Sequence, residues 1–578
     1  MKGYTVVTSD ADMYDNYSSG YNTNINAFVA ALKEKTGVDI AVVDADTSTA
    51  VSEKEILIGH TNRTESANAF DTTPYTGISV GFANGKLTVM AYRNELWEEA
   101  FDAILGALVQ NSQGEWGLPN DFSYQRNAVD VTEAIPKPET NGKLIEGYFT
   151  GDDEFMTGYL NLTAAEYNAY LSALEAAGFT QYTANNVANS HMSATYVTDH
   201  TEVHLIWQKA VDGVTGTSSY EHTLASYPML RIVIGPRGDL PTQSEPAYTK
   251  LINEARVTQI ARIGVMDGAP GMLFVVQLLD GSFVVIDGGY SHPEDRDALM
   301  TFLQNNKPTS HAKPQVTWML THAHSDHVAL ALDFLTMYSD KIELERVCYN
   351  FPQIDSIKWS SAPDKSANTY ANGIYRALDS VLEREYPNAE VLVFHAGQKL
   401  YLPGCEIEIL ATHESYWPCA IYGFNDTSAS WRMTFTQGTD TTADDTTFTV
   451  LGDSDEGLCK QLAAVYGDYL KSDVLQATHH GQKGGTVALY EAIDPSIVYW
   501  ANSVERMKPE NTATPNVHAY EASCWLLYSR PEKNGNYHGE ETVTVNMKTL
   551  EKVALNVSED AFDFGSEDAG DVWNWSAE

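Results

Sequence analysis

The chain has 578 residues, of which 43% are hydrophobic, so it can bury the cores of about two to four domains and is not globally disordered. It carries 36 Lys and Arg against 78 Asp and Glu, which gives a formal net charge of −42. This balance excludes nucleic acid and anionic membranes as default partners, because phosphate groups are bound by clustered cations. No apolar run approaches the ~20 residues of a membrane span, so we expect no integral membrane segment.

The first module is predicted over residues 1–132, where strand-like and helix-like segments alternate as in a mixed α/β domain. Asn84-Gly85 lies between two apolar runs and predicts a hairpin turn. The segment EILIGHTNR (55–63) resembles the accessory α/β domain that precedes the catalytic domain in several bacterial glycoside hydrolase families. This resemblance implies an extracellular, carbohydrate-associated setting and no catalysis in this module.

The second module is predicted over residues 144–236, after the Pro-rich link 133–143. Thr163-Ala-Ala-Glu166 has the spacing of a capping box and predicts a helix start, and several strand-like runs follow. We interpret this region as a small α+β module. A third and larger domain is predicted over 251–560.

The strongest chemical signal lies in this third domain, where an apolar strand, QVTWML, is followed at once by Thr321-His-Ala-His-Ser-Asp-His327. His322 and His324 flank Ala323, so both side chains can point the same way in extended backbone. Asp326 and His327 come from the turn beyond and can reach a second ion. Imidazole and carboxylate ligands suit zinc, and also iron or manganese.

The order of motifs in this domain resembles the metallo-β-lactamase superfamily. A strand ending in Asp287-Gly-Gly precedes HxHxDH, the run FTVL ends in Gly452-Asp453, and the run SDVLQAT leads to His479-His480-Gly481. The resemblance covers roughly 256–545. It implies an αββα sandwich with one or two metal ions at the sheet edge, so the predicted fold class is α/β and α+β, with this sandwich preceded by two smaller mixed modules.

The resemblance also implies a set of metal ligands, with Asp453 bridging two ions and a hydroxide activated by both. Zinc is the expected metal, with manganese or iron as alternatives. Asp326 is expected to hold the second ion and to orient the hydroxide, which makes it a catalytic residue. The full ligand set is His322, His324, Asp326, His327, Asp453 and His480.

Other residues near the motifs have two interpretations each. Of the adjacent histidines, His480 is favoured as the ligand because it precedes a glycine, and His479 then faces the substrate as a catalytic residue or packs. Asp287 either holds a ligand histidine by its other ring nitrogen or is a turn aspartate. His518, in TPNVHAY, either reaches the site or is a solvated loop residue.

The sequence departs from the superfamily at one point, because many members have a lone histidine between HxHxDH and the GD. His395 and His413 lie in this window without the usual setting, and Asn425-Asp-Thr-Ser428 precedes a strand-like stretch instead. This pattern resembles the branch that contains competence-type nuclease domains and cell-wall choline-phosphate esterases. It implies an open or weakly held first ion, and Asn425 and Ser428 are either donors to a phosphoryl oxygen or structural turn residues.

The sequence therefore predicts a metal-dependent hydrolase acting on a phosphoester of a small-molecule, glycan-linked or cell-envelope substrate. The alternatives are a carboxylic ester, lactone or amide hydrolase on the same fold and a non-catalytic carbohydrate-associated binding protein. Six convergent ligands disfavour the second alternative, because a scaffold has no need of them. We expect no nucleic-acid partner and a secreted or cell-envelope location, with the cytoplasm as the alternative; the sequence leaves the oligomeric state open.

Overall fold

The structure is a computed structural model and the chain divides into two compact units. Unit 1 comprises Met1–Tyr182, Ala194–Ala210 and Ser226–Arg237, and unit 2 comprises Thr183–Ser193, Val211–Ala225 and Gly238–Glu578. The three-module boundaries expected from the sequence stay a prediction. The described residues are 1–8, 19–44, 51–91, 94–131, 133–151, 153–210, 228–260, 271–353, 365–417, 421, 423–436, 444–501, 525–528 and 542–551.

The N-terminal part of the chain forms two six-stranded sheets, with strand orders β2-β1-β3-β5-β4-β8 and β11-β12-β13-β14-β10-β9. The predicted hairpin at Asn84-Gly85 joins β4 to β5 and is confirmed, and so is the capping box of Thr163 and Glu166 at the start of α4. The elements are β1 (Thr5–Thr8), α1 (Ser19–Thr36), β2 (Ala41–Asp44), β3 (Glu55–Ile58), α2 (Thr64–Thr72), β4 (Gly77–Ala83), β5 (Lys86–Ala91), α3 (Asn94–Ala107), β6 (Val109–Gln110), β7 (Trp116–Gly117), β8 (Ser123–Asn127), β9 (Lys143–Gly151), β10 (Glu154–Leu160), α4 (Ala164–Ala176), β11 (Thr180–Val187), β12 (His191–Val197), β13 (Thr201–Gln208) and β14 (Met229–Pro236).

The C-terminal part forms two seven-stranded sheets, with strand orders β20-β19-β18-β17-β16-β15-β28 and β21-β22-β23-β24-β25-β26-β27. Its elements are β15 (Arg256–Gln259), β16 (Leu273–Gln277), β17 (Phe283–Asp287), α5 (Pro293–Asn306), β18 (Gln315–Met319), α6 (Ser325–Met337), β19 (Glu343–Tyr349), α7 (Lys365–Glu385), β20 (Glu390–Val393), β21 (Lys399–Leu402), β22 (Cys405–Ala411), β23 (Ser430–Phe435), β24 (Thr446–Val450), α8 (Glu456–Tyr466), β25 (Val474–Gln476), α9 (Val487–Ile493), β26 (Ile497–Trp500), β27 (Trp525–Tyr528) and β28 (Val543–Asn546).

The two large sheets pack face to face over one apolar core, to which Phe274 of the first sheet and Phe448 of the second both belong. A second core lies on the outer face of the first sheet, where Trp318 packs against Phe334 of α6. On the second sheet, α8 and α9 form the crossovers between parallel strands, and the outward-facing Val498 is fully buried. These layers confirm the predicted αββα sandwich.

The strand directions place all the predicted motifs at one kind of position. Strands β17 to β20 run parallel in the first sheet, and β24 to β27 run parallel in the second. The motifs follow the carboxyl ends of β17, β18, β24 and β25, which is where open α/β sheets bind their ligands. Among the described residues, no helix has the length and apolar character that a membrane crossing needs.

Candidate metal centre

The HxHxDH segment begins as extended backbone after β18 and then enters α6. His324 is the N-cap residue of α6, with extended backbone angles, and Asp326 and His327 lie in the first turn of that helix. This change of geometry directs the first two histidines and the last two residues toward different points. The carboxylate of Asp326 also lies at the positive end of the helix dipole, which stabilises its charge.

Four of the predicted ligands meet in one cluster, which we call the four-residue cluster: Asp326, His327, Asp453 and His480. His327 Nε2 lies 3.2 Å from Asp453 Oδ1 and 3.3 Å from His480 Nε2. His480 Nε2 lies 3.3 Å from Asp453 Oδ2 and 3.4 Å from Asp326 Oδ2. A tetrahedral zinc ion with ligands at about 2.0–2.1 Å needs donor atoms about 3.3 Å apart, so these residues fit such an ion.

A second group, the three-residue cluster, consists of His322, His324 and again Asp453. His322 Nε2 and His324 Nδ1 are 2.9 Å apart. Both rings turn a nitrogen toward the carboxylate that the four-residue cluster also contains. The two clusters therefore share Asp453, and their donors are those that zinc, manganese and iron accept.

The two clusters differ in the pKa values of their histidines. Burial lowers the pKa of both His322 and His324. Burial also lowers the pKa of His480, but the charge of Asp453 and hydrogen bonds to Asp326 and Asp453 outweigh it and raise that pKa to about 9. The four-residue cluster is thus held by ion pairs, and a metal ion would displace the protons from its imidazoles.

Asp453 is a buried carboxyl group that lies among three histidines of the centre. Burial raises its pKa, but the charges on His327, His480 and His479 outweigh burial and hold the pKa well below its ordinary value. The pKa of His327 is raised in turn, because Asp453 and Asp287 outweigh the effect of its burial. The carboxylate therefore stays ionised although it is buried, and this is the state that a metal ligand requires.

Asp287 ends β17 and is fully buried, with a positive φ of 56° that is uncommon outside glycine. Its Oδ2 accepts a hydrogen bond of 2.7 Å from His327 Nδ1, and its Oδ1 accepts one of 2.8 Å from the backbone N–H of Thr321. Burial raises the pKa of this carboxyl group, and its interactions with His327 and Thr321 oppose the rise. The bond to His327 fixes which ring nitrogen faces the cluster.

The turn Thr478–Gly481 separates the two adjacent histidines. His479 and His480 both have positive φ, 48° and 53°, and Gly481 follows at 71°. His480 is buried and belongs to the four-residue cluster, whereas the side chain of His479 is 17% exposed. His479 Nε2 lies 3.8 Å from Asp453 Oδ2, and its Nδ1 lies 3.6 Å from Asp455 Oδ1 at the partly exposed rim.

The Asn-x-x-Ser segment contributes two different contacts. Asn425 Nδ2 lies 3.3 Å from His479 Nε2, so it is beside the rim histidine. Ser428 is fully buried, and its hydroxyl oxygen accepts a hydrogen bond of 3.1 Å from the backbone N–H of Asp453. Ser428 therefore supports the position of the shared carboxylate. His518 lies outside the described residues.

The two histidines considered for the middle position form a separate buried network around Glu414. His395 Nδ1 lies 2.8 Å from Glu414 Oε1, and Asn350 links Glu414 to His413 through bonds of 2.9 and 2.7 Å. Burial raises the pKa of Glu414, but the charge of His395 and their hydrogen bond outweigh it and lower the pKa to about 2. Within the described residues, neither histidine joins the two donor clusters that contain Asp453.

Sequence reasoning missed Thr321, Asp455 and the Glu414 network. Thr321 directly precedes His322, but its contacts depend on Asp287, 34 residues earlier in the chain. Asp455 lies two residues after Asp453, so its place near the centre could have been predicted from the same strand end. Nothing in the local pattern around Glu414 indicated its distant partners, because Asn350 and His395 follow two other strands, β19 and β20.

No protein-family model matches the sequence, and no curated protein matches it either. Among solved structures, CmlA, a diiron β-hydroxylase from Streptomyces venezuelae, aligns with 13% identity and a TM-score of 0.25, over 48% of this chain and 51% of that chain. The long form of RNase Z from yeast aligns with 8% identity and a TM-score of 0.30, over 52% of this chain and 42% of that chain. The matched part of each structure is about half of its length. The αββα sandwich of this chain is therefore identified from its own sheets and helices and not from these two alignments.

Proposed function

We propose that this chain is a metal-dependent hydrolase of the metallo-β-lactamase superfamily that cleaves a phosphoester of an envelope or glycan-linked substrate. The observation that carries the proposal is the sharing of Asp453 between two donor clusters. A carboxylate common to two clusters suits two cations held close together, as in enzymes that clamp a reacting phosphoryl group. The order of the motifs and the αββα sandwich that carries them support the superfamily.

Each residue then has a role that follows from its contacts. When bound, the ions supply a water nucleophile at neutral pH and positive charge for the transition state. His327 and His480 contribute neutral nitrogens once their protons are displaced, and Asp326, at the partly exposed side of the same cluster, orients the nucleophile. His479 lies at the rim, within reach of a leaving group or of a substrate oxygen.

The unequal size of the two clusters favours a phosphoester as the substrate. The three-residue cluster offers two imidazoles and the shared carboxylate, and neither His395 nor His413 adds a further donor among the described residues. A phosphoryl substrate can supply its own oxygen to such a cluster, whereas attack on a carbonyl gains from a fully held ion. Asn425 beside His479 adds a hydrogen-bond donor at the rim. Carboxylic ester, lactone and amide hydrolysis are the competing classes.

The test is a comparison of kcat/KM for bis-p-nitrophenyl phosphate and p-nitrophenyl acetate, with choline phosphate esters, a lactone and a cephalosporin as further substrates. The protein is stripped with a chelator and reloaded with zinc or manganese. We expect a preference for the phosphodiester that is lost with the metal and lost in Asp453→Asn. Asp333→Asn is the matched control for Asp453→Asn. It makes the same chemical change at a carboxylate that pairs with Arg296 at 3.1 Å and belongs to neither cluster that contains Asp453.

Two results would reject the proposal. A protein that cannot be loaded with any transition metal would reject the metal centre. A clear preference for the carboxylic ester, with Asn425→Ala leaving both rates unchanged, would reject the phosphoester. The setting in the cell envelope is supported by the segment at 55–63 alone, and fractionation of the native source tests it separately.

A further inference from the structure

We propose that Thr321 is a positioning residue whose hydroxyl passes the orienting effect of Asp287 on to His322, so that one buried carboxylate sets the ring orientation of a histidine in each metal cluster. This inference rests on the proposed metal centre. The observations behind it are the hydrogen bonds around Thr321 Oγ1.

The hydroxyl of Thr321 has three polar neighbours, one carboxylate and two imidazoles. Thr321 Oγ1 lies 2.8 Å from Asp287 Oδ2, 3.1 Å from His322 Nδ1 and 3.4 Å from His327 Nδ1. The proton of His327 Nδ1 is already donated to Asp287 Oδ2 at 2.7 Å. A carboxylate accepts hydrogen bonds and cannot donate them, so the single hydroxyl hydrogen is directed to Asp287. Only lone pairs of Thr321 Oγ1 then face His322, and His322 Nδ1 must be the donor.

This direction decides the tautomer of His322. With its proton on Nδ1, the ring turns the lone pair of Nε2 toward His324 and the shared carboxylate, as a ligand must. Asp287 fixes His327 in the same way without an intermediary, through the 2.7 Å bond to Nδ1. One carboxylate thus orients His327 in the four-residue cluster directly and His322 in the three-residue cluster through Thr321.

The surroundings of Thr321 hold the hydroxyl in this position. The residue is fully buried, and its backbone N–H and carbonyl are both used, by Asp287 Oδ1 at 2.8 Å and by the N–H of Ala429 at 2.9 Å. A Cβ added at Gly452 would lie 3.0 Å from Cβ of Thr321, so the strand end that carries Asp453 packs directly on this side chain. The threonine is therefore fixed from both sheets.

The experiment measures the tautomer of His322 in the metal-free full-length protein, by long-range ¹H–¹⁵N correlation of the ring nitrogens at about pH 8, above the ordinary pKa of histidine. The His322 signals are assigned by their loss in His322→Gln. We expect the proton on Nδ1 in the wild type. Thr321→Val keeps the shape and removes the hydroxyl, so the Nδ1 tautomer should be lost, and Thr321→Ser should restore it.

The second readout is zinc binding to the metal-free protein by titration calorimetry. Loss of an outer hydrogen bond to a ligand typically costs 10- to 100-fold in affinity, so in Thr321→Val one of two ions should weaken by about that factor. Thr321→Ser should bind as the wild type does. The charge-neutral change Thr336→Val, on the exposed side of α6, is the matched control and should alter neither readout.

Either of two outcomes overturns the inference: a wild-type proton on Nε2, or a Thr321→Val protein with the wild-type tautomer and affinities. If Thr321→Val does not fold, the wild-type tautomer decides alone, and Nδ1 supports the inference. Failure of the proposed function would show differently, as a wild-type protein that binds two ions and hydrolyses none of the substrate panel.

Discussion

Gly481 tests whether the turn after β25 must have the geometry described above. It follows His480 with a positive φ of 71°, and an added Cβ would lie 1.9 Å from the ring of Trp500. Trp500 is fully buried and ends β26, so it has no free space into which to move. We expect Gly481→Ala to displace the turn, and His480 with it.

The magnitude has two parts. An alanine in left-handed backbone costs about 1–2 kcal/mol relative to glycine. Overpacking of a filled core costs about 1–3 kcal/mol more. Gly467 serves as a control for backbone strain without overpacking. It combines φ 52° with ψ −133°, a backbone region that residues other than glycine rarely adopt, and nothing lies within 4 Å of an added Cβ. Gly467→Ala should therefore carry a backbone cost of about 1–3 kcal/mol and no packing cost.

The assay combines urea unfolding, followed by tryptophan fluorescence, with zinc titration of the metal-free proteins. We expect Gly481→Ala to lose about 2–5 kcal/mol of unfolding free energy and to bind zinc at least about tenfold more weakly, since His480 is displaced. Gly467→Ala should lose about 1–3 kcal/mol and keep its zinc affinity. A Gly481→Ala protein that matches Gly467→Ala in both measurements would refute the reasoning.

Two further predictions concern the ions and the partner. Asp453→Asn keeps the side-chain size and removes the charge that both clusters share, so the affinity for both ions should fall in calorimetric titration. Asp326→Asn should lower the affinity for one ion only. Two ions bound with wild-type affinity to Asp453→Asn would contradict the shared role. With a net charge of −42, the protein should not shift duplex DNA in a gel at physiological salt. Robust, salt-sensitive cleavage of duplex DNA would favour a nuclease instead.

The fold of the C-terminal half and the positions of its motifs at strand ends could both be predicted from the sequence. Each motif follows an apolar run of strand length, so its place at the end of a strand was predictable from the residues. The convergence of His322, Asp453 and His480 was implied by the order of the motifs, which resembles that of the metallo-β-lactamase superfamily. The hairpin at Asn84-Gly85 was predictable for a different reason, because few residues other than Asn and Gly adopt positive φ easily.

The remaining features depend on backbone detail that spacing does not encode. Two successive positive φ values put His480 in the cluster and His479 at the rim. The sequence favoured His480 as the ligand because it precedes a glycine, but the spacing did not show how the backbone separates the two rings. Ser428 has the polar side chain of a substrate contact, yet its hydroxyl accepts from the backbone of Asp453. Thr321 connects two strand ends whose distance in the chain hides the contact.

The centre also concentrates backbone strain. Of the nine non-glycine residues with positive φ among those the structure describes, Asp287, His479 and His480 lie within it. Each costs about 1–2 kcal/mol relative to ordinary backbone, although Asn, Asp and His adopt positive φ more readily than other non-glycine residues do. The two successive histidines at 479 and 480 add their costs within one turn. A cation that binds the folded chain alone would offset this cost through its binding free energy, so the metal should stabilise the very turn that holds its ligands.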